Sequence, residues 1–89
     1  MAEKIWADDA WDSYIEWQTS DKKILKKIND LLKDIERNGN LDDKGSPEPL
    51  KGNLSEYYSR QITEKDRLVY KFADNKLYIA QCKGHYGDK

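Results

Sequence analysis

Six side chains in this 89-residue sequence could do chemistry together: Glu48, Lys51, Arg60, Arg67, His85 and Tyr86. A carboxylate, a guanidinium and an imidazole are the three parts needed to cleave RNA without a metal. A base removes the proton of the 2′-hydroxyl, a fixed cation stabilises the crowded phosphorane, and an acid protonates the departing 5′-oxygen. Taken singly, each residue also has an ordinary reading. A Glu between two prolines is a solvated loop residue, and a lone C-terminal His is a surface residue. An Arg that opens a strand is one half of a surface ion pair, here with Asp66 or Glu64 as neighbours. The residues alone leave both readings open.

Positioning these groups falls to a helical half followed by a strand half. Lys4-Ile5-Trp6 reads as a short edge strand. Asp8 or Asp9 can cap a helix that places Trp11, Tyr14, Ile15 and Gln18 on one face. Ser20 is a candidate cap for a second helix. In it Ile24, Leu25, Ile28, Leu31, Leu32 and Ile35 form a 3.6-residue stripe, opposite Lys22, Lys23, Lys26, Lys27, Lys33 and Asp34. Asn38-Gly39-Asn40 stops that helix. Gly45-Ser46-Pro47-Glu48-Pro49 extends the break and holds Glu48 on a stiff, extended loop.

After residue 53 the period changes to two. Residues 54–63, 67–72 and 76–83 read as strands, with a hairpin turn at Ala73-Asp74-Asn75. Leu68, Tyr70 and Phe72 point one way, and Arg67, Val69 and Lys71 the other. The expected fold is a single α+β domain over residues 1–89, with two N-terminal helices on one face of an antiparallel sheet. The face carrying Arg67 and Lys71 is then left open. Trp6, Trp11 and Trp17 read as core anchors. Cys82, alternating with Ala80 and Tyr78, reads as a small buried hydrophobe.

Composition bounds the function. Apolar and charged residues each make up 37% of the chain, against a usual quarter for charge. The three Trp and six Tyr must therefore supply much of the core volume. Apolar runs such as Leu77-Tyr78-Ile79-Ala80 are too short to span a membrane, and no secretory signal is expected from the acidic N-terminus. A single Cys cannot form an internal disulfide, and one Cys with one His cannot supply a four-ligand zinc site. The expectation is a reduced, cytoplasmic protein with no metal and no cofactor. Residues 1–43 carry seven Lys/Arg against eleven Asp/Glu, a net of −4, whereas residues 44–86 carry eight against five, a net of +3. Such a basic half permits a polyanion partner without demanding one.

Several segments together resemble one family. Residues 6–14 (Trp6-Ala7-Asp8-Asp9-Ala10-Trp11-Asp12-Ser13-Tyr14), Trp17-Gln18, Lys26-Lys27-Ile28-Asn29 and Leu32-Lys33-Asp34-Ile35 are similar to the opening of the YoeB/Txe toxins, a branch of the RelE/ParE superfamily. Gly45-Ser46-Pro47-Glu48-Pro49-Leu50-Lys51 resembles the family's G-K-P-E-P-L-K signature. Ser59-Arg60-Gln61-Ile62-Thr63, Arg67-Leu68-Val69-Tyr70 and the His85-Tyr86 pair complete the match, in order, from about residue 4 to residue 86.

The resemblance implies the RelE-like fold and a toxin that cuts mRNA in the ribosomal A site, against 16S rRNA, by attack of a 2′-hydroxyl on the scissile phosphate. By motif match Glu48 would be the general base, Arg67 the transition-state cation and His85 the general acid. Tyr86 would position the substrate, and Lys51 and Arg60 would contact phosphate. An antitoxin of the YefM/Phd type would hold the toxin inactive and carry it to operator DNA, and a homodimer is left open. Two other readings share the fold: a non-catalytic antitoxin partner acting as co-repressor, and a ParE-like gyrase inhibitor. The sequence departs from the family at Gln61 (usually a second arginine), at Lys65 (often acidic), at Asn38-Gly39-Asn40-Leu41 in place of an aromatic segment, and in the added Gly87-Asp88-Lys89.

Overall fold

The computed structural model describes residues 3–38, 48–50 and 56–84. Strand β1 (Glu3–Trp6) leads into helix α1 (Asp8–Ser20) and helix α2 (Lys22–Asn38), followed by strands β2 (Glu48–Pro49), β3 (Tyr58–Gln61), β4 (Arg67–Ala73) and β5 (Lys76–Gln81). The sheet order is β1-β5-β4-β3-β2. The expected two-layer α+β arrangement forms, with one addition. β2 to β5 pair antiparallel, but β1 joins the far edge parallel to β5, so the sheet is mixed.

Helix α2 follows its sequence pattern. Ile28, Leu31, Leu32 and Ile35 are buried in the core, with Ile24 and Leu25 packed at its margin. The exception on the polar side is Asp34, which is buried. Neither expected cap is used. Asp8 and Asp9 lie in the first turn of α1, where they complement the positive end of the helix, and Ala7 occupies the cap position with no side-chain bond. Ser20 ends α1, and Asp21 does the capping instead. Its N–H donates to Trp17 O (3.1 Å), closing α1. Its Oδ1 accepts from the N–H groups of Lys23 (3.0 Å) and Ile24 (3.2 Å), opening α2.

The buried face of α1 is Ala10 and Trp17, flanked by Tyr14, and not the expected one. Trp11 and Ile15 stay 45% and 44% exposed. Trp11 is thus a surface ring, packed edge-on against Trp6 (5.6 Å between centroids) and stacked on Tyr14 (5.9 Å). Trp17 is the anchor the sequence suggests, its indole N–H donating to Cys82 O at 2.9 Å.

In the sheet, Leu68, Tyr70, Leu77 and Ile79 meet the helices. The β4–β5 turn needs two residues with positive φ, and Asp74 (53°) and Asn75 (59°) supply them. Cys82 is buried as expected, by a different route. The core side of β5 is Leu77 and Ile79, and Cys82 rejoins the core beyond the strand's end, after a register irregularity between Val69 and Tyr70. Its thiol donates to Ala10 O at 3.4 Å, and burial together with the Asp66 charge pushes its pKa up to about 12. It is an unreactive thiol. The opposite face of the sheet is not bare, because Ser59 and Val69, cross-strand partners, are both buried there.

Candidate functional site

Arg67 opens β4 half-buried, on the face turned away from the helices. Its Nε donates to Ser59 Oγ at 2.5 Å. Ser59 in β3 pairs with Val69 of β4 on one side and with Glu48 of β2 on the other. Antiparallel partners stand about 5 Å apart at Cα. The serine that holds Arg67 is therefore the register neighbour of Glu48. Glu48 does not sit in a free loop but in a two-residue edge strand, and the pairing continues through Leu50 N–H to Tyr57 O at 3.0 Å. An edge is where a strand tolerates Pro49, which has no N–H to give.

Among the described residues, no carboxylate forms an ion pair with Arg67. The expected neighbours do not provide one. Asp66 turns to Thr63 Oγ1 (2.8 Å) and to the N–H of Gly84 (2.8 Å). The Arg67 N–H donates to Gly84 O at 2.9 Å, so the last described residue lies against the start of β4. A neutral hydroxyl orients the guanidinium without itself neutralising the charge. Lys71, further along the same face, lies over the rings of Tyr78 (4.8 Å) and Tyr57 (5.7 Å) and 4.0 Å from Glu56.

Arg60 corrects the sequence reading. It is expected at the RNA, but its side chain is wholly buried on the helix side of β3. Its Nη1 donates to Asp34 Oδ2 of α2 at 2.6 Å, and its Nε donates to Tyr70 Oη at 3.0 Å. Burial disfavours its charge, but the bonds to Asp34 and Tyr70 outweigh that, and its pKa lies above the ordinary value. Burial likewise raises Tyr70, in spite of Arg60 beside it. Arg60 is thus a joint between helix layer and sheet, with no phosphate-facing charge.

Lys51, His85 and Tyr86 lie outside the described residues, so of the six candidates the structure brings together Arg67 and the backbone of Glu48, and separates Arg60 from them. Among the described residues, no group of three His, Cys, Asp or Glu gathers that could hold a metal, and no helix is long and apolar enough to cross a membrane. The sequence reading missed Ser59, Asp66 and Gly84. Ser59 was within reach, since a period of two puts residues 59 and 61 on the same face, and residue 67 lies opposite.

A helix pair on one face of a mixed sheet, with an arginine held by a serine hydroxyl at the end of the other face, is a small two-layer α+β protein of the RelE-like kind. The profile of the YoeB-like toxins of bacterial type II toxin-antitoxin systems matches residues 6–86. Toxin YoeB of Escherichia coli K12 is 54% identical over 82 residues, covering 92% of this chain and 96% of that one. The YoeB–YefM complex from Staphylococcus aureus contains a chain with 48% identity and a TM-score of 0.89, covering 97% of this chain and 99% of that one. The YoeB dimer from Staphylococcus aureus gives 49% identity and the same TM-score, covering 96% and 98%. The chain belongs to the YoeB-like toxin family and is a toxin of a type II toxin–antitoxin system.

Proposed function

We propose that this toxin is a metal-independent endoribonuclease that cuts mRNA in the ribosomal A site. Glu48 takes the proton of the 2′-hydroxyl, and the freed 2′-oxygen attacks phosphorus. Arg67 stabilises the charge on the phosphorane oxygens. The bond to the 5′-oxygen breaks as His85 donates a proton to it, leaving a 2′,3′-cyclic phosphate and a 5′-hydroxyl. Tyr86 positions the nucleotide and Lys51 contacts phosphate. Arg60 has no place at the RNA, since its charge is buried against Asp34.

The observation that carries this reading is the setting of Arg67: a guanidinium steered by Ser59, with no ion pair among the described residues, in register with Glu48, one residue in the chain from Asp66 and backbone-bonded to the residue before His85. The relatives support the partners. Because YoeB of Staphylococcus aureus is solved with YefM and as a dimer, this chain is read as binding a YefM/Phd-type antitoxin, reaching operator DNA only through it, and able to pair with itself.

The ribosome is part of the mechanism. With one carboxylate, one guanidinium and one imidazole, much of the rate must come from aligning the 2′-oxygen, phosphorus and 5′-oxygen, and a ribosome-fixed codon provides that alignment. Single-turnover cleavage of one mRNA, free and on programmed ribosomes, tests this. Cleavage on ribosomes exceeding that of free mRNA by several orders of magnitude is expected. Equal rates would contradict it.

A further inference from the structure

The sheet face turned away from the helices carries a second fixed cation besides Arg67. Strand β4 turns Arg67, Val69 and Lys71 to that side, two cations and no anion. Four residues of extended chain separate the two cations, about 13 Å at Cα. Two rings hold Lys71. Its Nζ lies 4.8 Å from the centre of the Tyr78 ring and 5.7 Å from that of Tyr57. The backbones that carry those rings are themselves pinned. Tyr78 is the register partner of Lys71 in β5. The Tyr57 carbonyl accepts from the Leu50 N–H at 3.0 Å, which ties it to the β2 edge. All three residues are half-buried.

A lysine placed for solubility alone keeps its head in water. Lys71 has its head over two rings, and its side chain is only 26% exposed. Among the described residues the carboxylate within reach is that of Glu56, at 4.0 Å and on a side chain 80% exposed. A rim pair of that kind is worth little and yields to a better-placed anion. The ring faces attract the ammonium without cancelling its charge. Lys71 is thus oriented by neutral partners, as Arg67 is by Ser59. Two such cations on one strand, a few nucleotides apart, match a single-stranded polyanion laid along β4. We propose that Lys71, held by Tyr57 and Tyr78, binds a backbone phosphate of the mRNA substrate, one removed from the phosphate that is cut. This rests on the nuclease reading above, which puts Arg67 at the scissile phosphate. Lys71 takes no part in the chemistry, and the two tyrosines are positioning residues that act through it.

The test measures binding of the full chain to two ribosome preparations. In one, the mRNA fills the A site and carries 2′-O-methyl groups, which remove the attacking hydroxyl. In the other, the mRNA stops at the P-site codon. Lys71→Met removes the charge and keeps the stem of the side chain. It should weaken binding to the first preparation about tenfold. The slope of log affinity against log salt should flatten by about 0.7, the share of one phosphate in a single strand. Binding to the second preparation should not change. Lys71→Arg keeps a cation and should stay near the parent. Tyr78→Leu should cost about threefold in the parent and nothing further in Lys71→Met, the coupling of a residue that acts through the lysine. Tyr78→Phe keeps the ring and should match the parent. An equal loss on both preparations would assign Lys71 to rRNA and overturn the proposal. So would unchanged binding to the first, whether or not Lys71→Met loses affinity for oligoglutamate, the probe for an acidic peptide on this face. If the parent binds but cuts no unmethylated ribosome-bound mRNA, the nuclease reading fails, while the two preparations still decide whether Lys71 meets mRNA.

Discussion

Two arginines on adjacent strands show how environment divides one side chain into two roles. Arg60 and Arg67 lie seven residues apart in the chain, on opposite faces of the sheet. Arg60 points into the helix layer, loses all contact with water, and meets a carboxylate and a phenol. Arg67 points the other way and meets a hydroxyl. A buried guanidinium must be paired, because an isolated charge in the interior costs several kcal/mol. Once paired it exerts little field beyond its partner. A guanidinium held by a neutral acceptor keeps its charge for whatever approaches. The first arrangement makes a joint between layers, and the second makes a cation fit to meet a phosphate.

Substitutions can break this contrast, and the largest effect belongs to the joint. Arg60→Ala leaves the Asp34 charge buried without its cation and should destabilise the fold by about 3–5 kcal/mol in denaturant titration. Arg60→Met combined with Asp34→Leu, which removes both charges and keeps the volume, should recover most of that loss. A single variant as stable as the parent would show that the pair is not the joint described here.

Ser59→Ala tests the other side, with a smaller effect. It removes one hydrogen bond to a charged group, of order 1.5–3 kcal/mol in general, and misaligns Arg67, so ribosome-bound mRNA should be cut about tenfold more slowly. Stability should change little by comparison with Arg60→Ala, and Ser59→Thr, which keeps a hydroxyl, should remain close to the parent. A parental rate in Ser59→Ala would mean that another contact orients Arg67.

How much of this was legible depended on how local each cause is. The α2 stripe from Ile28 to Ile35 and the Asp74-Asn75 turn were readable because helical period and positive φ are properties of a few consecutive residues. The alternation of Leu68 and Tyr70 with Arg67 was readable for the same reason. Asp34 was not, since it sits in a charged stretch and its partner Arg60 lies 26 residues away. Helix α1 misled because its apolar residues outnumber the places available. Ala10 and Trp17 take the interior, and Trp11 and Ile15 are left outside. The parallel pairing of β1 with β5 joins the two ends of the described chain, and no short window records it. Of the candidate site, residue type alone nominates Glu48, Arg67 and His85, but the contacts of Ser59 and Asp66 emerge only once strands are in register.

The central claim is that Arg67 works on the RNA and not on the fold, and one paired measurement tests it: single-turnover cleavage on programmed ribosomes alongside the thermal midpoint, for the parent and Arg67→Ala. A rate lower by about 10²-fold or more is expected, the usual effect of losing a preorganised charge at a reacting phosphate, with a midpoint no lower than that of Ser59→Ala, which loses the same hydrogen bond. Unchanged cleavage, or a loss of rate matched by a loss of folded protein, would contradict it.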